Sequence, residues 1–282
     1  MVSLPTNLGP LLALADSSAA SKVEYVVGGL NLAGAVRESA AQLLADTAIS
    51  IACGNSNALD RWRRRRDGGP AEVGNSLRAV ETFVAIAFGH PDRPPDVDHL
   101  QGHVAELIWN LLLAERSVAR DGRRLVRAHN VKADPLEPGG DGLVVYEDAA
   151  GNLVFRLWEI KKHDAQQVVS GTINRASKQL ANRGHEYLAK VAGPETLAHS
   201  GAMGDFYGSI VDLWFDRSER AGVGVAIGTS DHHAPSSDRT FGSINTSFPE
   251  FNRAGQTESI VVAVPDFPGF SNRVKEIVWS GL

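Results

Sequence analysis

The spacing of hydrophobic positions changes period along the chain, and each change marks out an element. From 23 to 52, Leu30, Leu32, Val36, Leu43, Leu44, Ile49 and Ile51 form an approximate helical stripe in Ala-rich sequence. That pattern predicts a helix, ended by Gly54-Asn55-Ser56-Asn57. A second helix is predicted over 73–88 through Leu77, Val80, Phe83, Val84 and Ile86. The stretch from His90 to Asp96 cannot continue it, because Pro91, Pro94 and Pro95 lack an amide donor and constrain their predecessors. The break is expected to separate an N-terminal helical region, 1–97, from a second domain, 98–282.

That second domain opens with a predicted helix over 98–120, whose buried face is Leu100, Val104, Leu107, Ile108, Leu111 and Leu112. A strand at 123–130 and a loop through Pro135-Leu136-Glu137-Pro138 come next. Two apolar runs, 143–146 and 153–160, then flank the turn-prone 147–152, which reads as a β-hairpin. Helices are expected at 166–191, 203–217 and 268–279, with strands at 222–229 and 259–264. Between those strands 230–255 is rich in Ser, Asp, Asn, Gly and Pro, and reads as a long loop. The order helix, three strands, helix, strand predicts an α/β fold: a mixed central sheet flanked by helices.

The hairpin carries the candidate chemistry. Asp141 stands where its first strand starts, and Glu159 and Lys161 stand at the end of the second. Residues two apart on a strand share a face, so the hairpin would set Asp141 beside Glu159 and Lys161. Two carboxylates and an ammonium on one sheet edge can hold a divalent cation and orient a water. The alternative is a surface hairpin with a solvated Glu–Lys set. Against that alternative, the charges interrupt Trp158-Glu159-Ile160-Lys161, an otherwise strongly apolar strand, and buried charges persist only when paired or bound to metal.

Gly140-Asp141-Gly142 followed by Glu159-Ile160-Lys161 resembles the motif of the PD-(D/E)XK nuclease superfamily, with glycine standing where the family pattern has proline. The resemblance covers about 100–229 and implies a restriction-endonuclease-like core. It further implies that Asp141, Glu159 and the carbonyl of Ile160 ligate Mg²⁺ or Mn²⁺, and that Lys161 orients or deprotonates the attacking water. Many members add a Glu from the preceding helix; Glu106, in one stripe with His103 and Asn110, is that candidate, or else an ordinary solvated residue. Past the motif, Lys162, Arg175, Lys178 and Gln179 are candidates to contact phosphate or face the site. A tyrosine four residues after Gln179 would complete a repair-nuclease signature, but Arg183 stands there. By resemblance the substrate is DNA and the setting bacterial anti-phage defence. The layout is also similar to the nuclease subunit of the Hachiman system, which works with a helicase. A sequence-specific restriction endonuclease and an inactive DNA-binding scaffold are the competing expectations.

Composition adds limits. The formal net charge of -5 does not advertise nucleic-acid binding, so any grip on phosphate must come from a local patch. One such patch is Arg61-Trp62-Arg63-Arg64-Arg65-Arg66, read either as a solvated helix end or loop, or as a phosphate-gripping patch whose Trp62 stacks on a base or packs under the arginines. Cys53 is the single cysteine, which excludes an internal disulfide and an all-Cys metal site. No basic stretch precedes the short apolar run 8–15, and no run spans a membrane, so a cytoplasmic protein is expected. Neither G-x-S-x-G nor a P-loop is present, and Asp231-His232-His233 echoes the DHH phosphoesterase motif without that family's other acidic motifs.

Overall fold

The computed structural model describes residues 7–18, 21–131, 141–164 and 168–282. The predicted loop at Pro135–Pro138, the motif's Gly140 and the first residues of the helix expected from 166 lie outside these. In chain order the elements are α1 (Gly9–Leu12), β1 (Ala15–Asp16), β2 (Glu24–Gly28), α2 (Gly34–Cys53), α3 (Asn57–Arg66), α4 (Asn75–Phe88) and α5 (Val97–Glu115). They continue with β3 (Arg124–Ala128), β4 (Gly142–Glu147), β5 (Leu153–His163), α6 (Ser170–Ala198) and α7 (Gly201–Phe215). The last are β6 (Val223–Ser230), α8 (Gly242–Ser247), β7 (Thr257–Val264) and α9 (Phe267–Trp279). Two short 3₁₀ turns, Asp231–His233 and Asp238–Phe241, precede α8 in the stretch expected to be a plain loop.

The seven strands form one mixed sheet in the order β1-β2-β7-β6-β5-β4-β3. β2, β7, β6 and β5 run parallel to one another, β1 pairs antiparallel with β2, and β5, β4 and β3 are an antiparallel meander. Parallel strands buried on both faces need apolar residues at nearly every position. β6 and β7 meet that demand with Val223–Ser230 and Thr257–Val264.

Helices cover both faces. Residues of α2, α4, α5 and α9 pack with Val144, Val154, Trp158 and Ile160 on one side of the sheet. On the other, α6, α7 and α8 pack with Leu143, Phe155, Leu157 and Val225. The first of these clusters draws residues from both sides of position 97. Among the described residues, no helix is long and apolar enough to cross a membrane.

The largest departure from the sequence reading lies near the start of the chain. The segment 23–52 is not a single helix: Glu24–Gly28 is a strand paired with β7, and α2 starts only at Gly34. Tyr25-Val26-Val27 favours strand, and Gly29 takes a positive φ of 87° that ends it.

The hairpin is held at its root by an aromatic contact. An added Cβ on Gly142 would lie 2.1 Å from the Trp109 ring of α5, so only glycine admits that approach. Gly142→Ala is expected to lose about 1–3 kcal/mol of stability by overpacking. It should also displace Asp141 next door, and equilibrium urea unfolding would read the first effect. A variant as stable as the parent would mean that Trp109 moves freely.

Candidate active site

The β4–β5 ladder pairs Gly142 with Trp158 and Leu143 with Leu157. It stops there, so the amide of Ile160 has no strand partner and donates instead to Asp141 Oδ2 at 2.8 Å. Lys161 Nζ lies 2.5 Å from Glu159 Oε1 and 3.8 Å from Asp141 Oδ2. Asp141, Glu159 and Lys161 thus converge, on the face of the sheet that α6 covers. Ile160 turns its side chain to the opposite face, into the α5-side core.

Burial in this cluster is graded, from Lys161, whose side chain is 36% exposed, through Asp141 at 17% to Glu159. Glu159 is 0% exposed, and neither of its oxygens takes a hydrogen bond of ordinary geometry among the described residues. Burial pushes the Asp141 carboxyl well above its usual range; the negative charges of Glu159 and Glu106 add to the rise, and Lys161 and the Ile160 amide only partly oppose it. Glu159 is raised too, by burial first, with Lys161 and Asp141 opposing and Glu106 reinforcing. Burial pulls Lys161 down, but Asp141 and Glu159 outweigh it and keep the ammonium charged above its ordinary value. Glu106 approaches from α5, near enough to act on both carboxyls, and its Oε2 lies 4.0 Å from His103 Nδ1.

The donor chemistry suits a hard cation: carboxylate oxygens, those of Glu159 fully buried, and a strand flank at Ile160 beyond the β4 ladder. Yet among the described residues no group of three or more His, Cys, Asp or Glu side chains is already arranged to hold a metal ion. Lys161 stands in for that positive charge, bridging both carboxylates.

The remaining candidates are distributed unevenly. Gln179 Nε2 donates to the hydroxyl of Tyr187 at 2.9 Å, and Tyr187 acts electrostatically on Lys161. The glutamine and tyrosine therefore meet across eight residues of α6, a pairing that a search four residues on could not find. Arg175 is exposed on α6 and bonds Thr172, and Lys178 is also exposed there. Lys162, one residue past Lys161, points to the other face, where Asp98 at 2.6 Å and Asp164 at 2.5 Å bind its ammonium.

The arginine run lies on α3, a helix rather than a loop, and the structure does not bring it to the site. Trp62 is fully buried beneath Arg66, with its Nε1 donating to Val278 O at 2.7 Å, so it cannot stack on a base. Arg63 and Arg66 both bind Asp46 of α2, and Arg65 donates to the carbonyls of Gly69 and Leu282. Arg64 pairs with Glu72 but keeps its side chain 58% exposed, and Arg61 is half-exposed. If the run does grip DNA, Arg61→Glu with Arg64→Glu weakens binding severalfold and lowers the slope of log K against log salt by about one. An unchanged slope would return α3 to a purely structural role.

No family model matches this chain, and neither the curated proteins nor the solved structures contain a match to it.

Proposed function

We propose that this protein is a Mg²⁺-dependent nuclease that hydrolyses DNA phosphodiester bonds. The observation that carries the reading is the convergence of Asp141 and Lys161 on a fully buried Glu159 at a strand end. Two buried carboxylates with raised proton affinity and one ammonium make an expensive arrangement for a merely structural hairpin, and strongly perturbed neighbours of this kind concentrate at functional sites.

Asp141 and Glu159 would hold the ion, with the Ile160 carbonyl and Glu106 as further oxygen donors. Bound Mg²⁺, or Mn²⁺, supplies Lewis-acid neutralisation of phosphate charge and lowers the pKa of a coordinated water. Lys161, paired with both carboxylates, would orient the attacking water and stabilise the negative charge that builds on the phosphoryl oxygens. Gln179 and Tyr187, bonded to each other on α6, lie on the side from which that helix covers β5. A role in anti-phage defence alongside a helicase accords with a nuclease that has no P-loop of its own.

A second reading, a nuclease-fold subunit that binds DNA without cutting, draws on the lack of a ready-made three-ligand group among the described residues. Incubating the chain with linear and supercoiled DNA in Mg²⁺ and in chelator separates the two. Cleavage only with metal supports the nuclease, and intact DNA in every condition, with a helicase partner added, supports the binding subunit.

A further inference from the structure

Two residues beyond Lys161 on β5, and on the same face, His163 belongs to a cluster that the hydrolytic chemistry above does not use. Its Nδ1 lies 2.8 Å from Thr172 Oγ1, which also accepts a hydrogen bond from Arg175 Nη2 at 2.8 Å. The His163 ring meets that of His233 edge-on, centroids 4.7 Å apart, and His233 lies 4.0 Å from His232. The turn Asp231–His233 follows β6, the strand parallel to β5. Three imidazoles and a guanidinium therefore gather beyond the carboxyl ends of two neighbouring parallel strands, where open α/β sheets take their ligands.

A cavity of about 140 Å³ opens against His232 and His233, bounded by Val169, Ser170, Pro235 and Thr240. Its size suits one small anion. Two imidazoles this close repel when both carry protons, and burial together with His232 holds His233 below its ordinary value. An anion held in the cavity against both rings removes that conflict. The neighbouring carboxylates limit its charge: Asp164 is engaged by Lys162, and Asp231 Oδ1 lies 3.7 Å from His232 Nδ1. A singly charged phosphate group is tolerated there better than a doubly charged one.

Resting on the nuclease reading, we propose that His232 and His233, backed by His163, Thr172 and Arg175, bind the backbone phosphodiester next to the one being cut. Two residues of strand advance about 6.6 Å, comparable with the step between successive phosphates of a nucleic-acid strand. DNA leaving Lys161 along β5 would meet these donors at its next phosphate.

The test is anisotropy of a labelled oligothymidylate with the full chain in chelator, near pH 6, at increasing salt. The titratable and charged groups that face the imidazoles are His163, Asp164, Asp231 and Arg175. His232→Ala with His233→Ala is expected to weaken binding about five- to tenfold and to lower the salt slope by about 0.7, because one phosphate fewer is neutralised. Unchanged affinity and slope, in a double variant that melts like the parent, overturn the subsite. Inorganic phosphate as competitor separates the sources. Little competition at millimolar phosphate supports a phosphodiester, and displacement at micromolar phosphate overturns that assignment in favour of a free-phosphate site. Because no cleavage is measured, the two readings fail separately. Histidine-dependent binding by a chain that never cuts leaves the subsite standing without the nuclease, and undiminished binding by the double variant of an active enzyme does the reverse.

Discussion

Glu159→Gln is expected to reduce Mg²⁺-dependent DNA cleavage by at least roughly a hundred- to a thousandfold, the scale of losing one preorganised charge contact at a transition state. The substitution keeps the shape of a fully buried side chain and removes only its charge. Lys161 keeps Asp141 as a partner at 3.8 Å, so the fold should survive. The pH dependence follows from the sign of the shifts. Both carboxyls have folded-state values raised above ordinary, so their contribution to stability is present below the unfolded values, 3.8 for Asp141 and 4.5 for Glu159, and is lost as pH rises through the folded ones. Metal requires both groups deprotonated, so protection by Mg²⁺ against thermal unfolding should grow with pH across that window in the parent and shrink markedly in Glu159→Gln. Full cleavage by the glutamine variant would remove Glu159 from the chemistry.

Glu258→Gln is expected to be the most destabilising single change in the sheet, by about 3–5 kcal/mol, because it strands buried positive charge. Glu258 Oε1 accepts from Arg123 Nη2 at 2.7 Å and lies 3.8 Å from Arg156 Nε, while Arg116 Nη1 is 4.0 Å from Oε2. Arg123 and Arg156 are themselves buried among β4, β5 and β7, and Arg123 sits 4.7 Å over the Tyr146 ring. Burial first, and Arg123 second, already pull Arg156 down to about 10, with Glu258 opposing. Removing that carboxylate leaves two desolvated guanidiniums facing each other. Urea unfolding of the parent and variant measures the loss. A midpoint unchanged within about 0.5 kcal/mol would show that Asp121 and the Gly255 carbonyl suffice.

What the sequence made legible was local. The β4–β5 hairpin could be read because alternation and a turn-prone 147–152 fix its register within one short stretch, and register alone places Asp141 opposite Glu159. β2 was misread because its five residues run into an Ala-rich helical pattern, and its partner β7 lies far along the chain. The arginine run was legible only in part for a similar reason: its charge is obvious, but the Asp46 that binds Arg63 and Arg66 sits on another helix. Tyr187 was invisible as a site residue, since only tertiary packing of α6 over β5 sets it beside Lys161. The three histidines beyond that lysine meet only once β6 has been laid parallel to β5.

The parallel pairing of β2 with β7 bears on how the chain is born. β2 leaves the ribosome early, yet the strand it hydrogen-bonds is translated roughly 230 residues later, at elongation rates of about 5–20 residues per second. For that interval Tyr25, Val26 and Val27 present an open edge to whatever else is in the cell. Chaperone engagement should therefore persist until Thr257–Val264 has emerged and paired with β2.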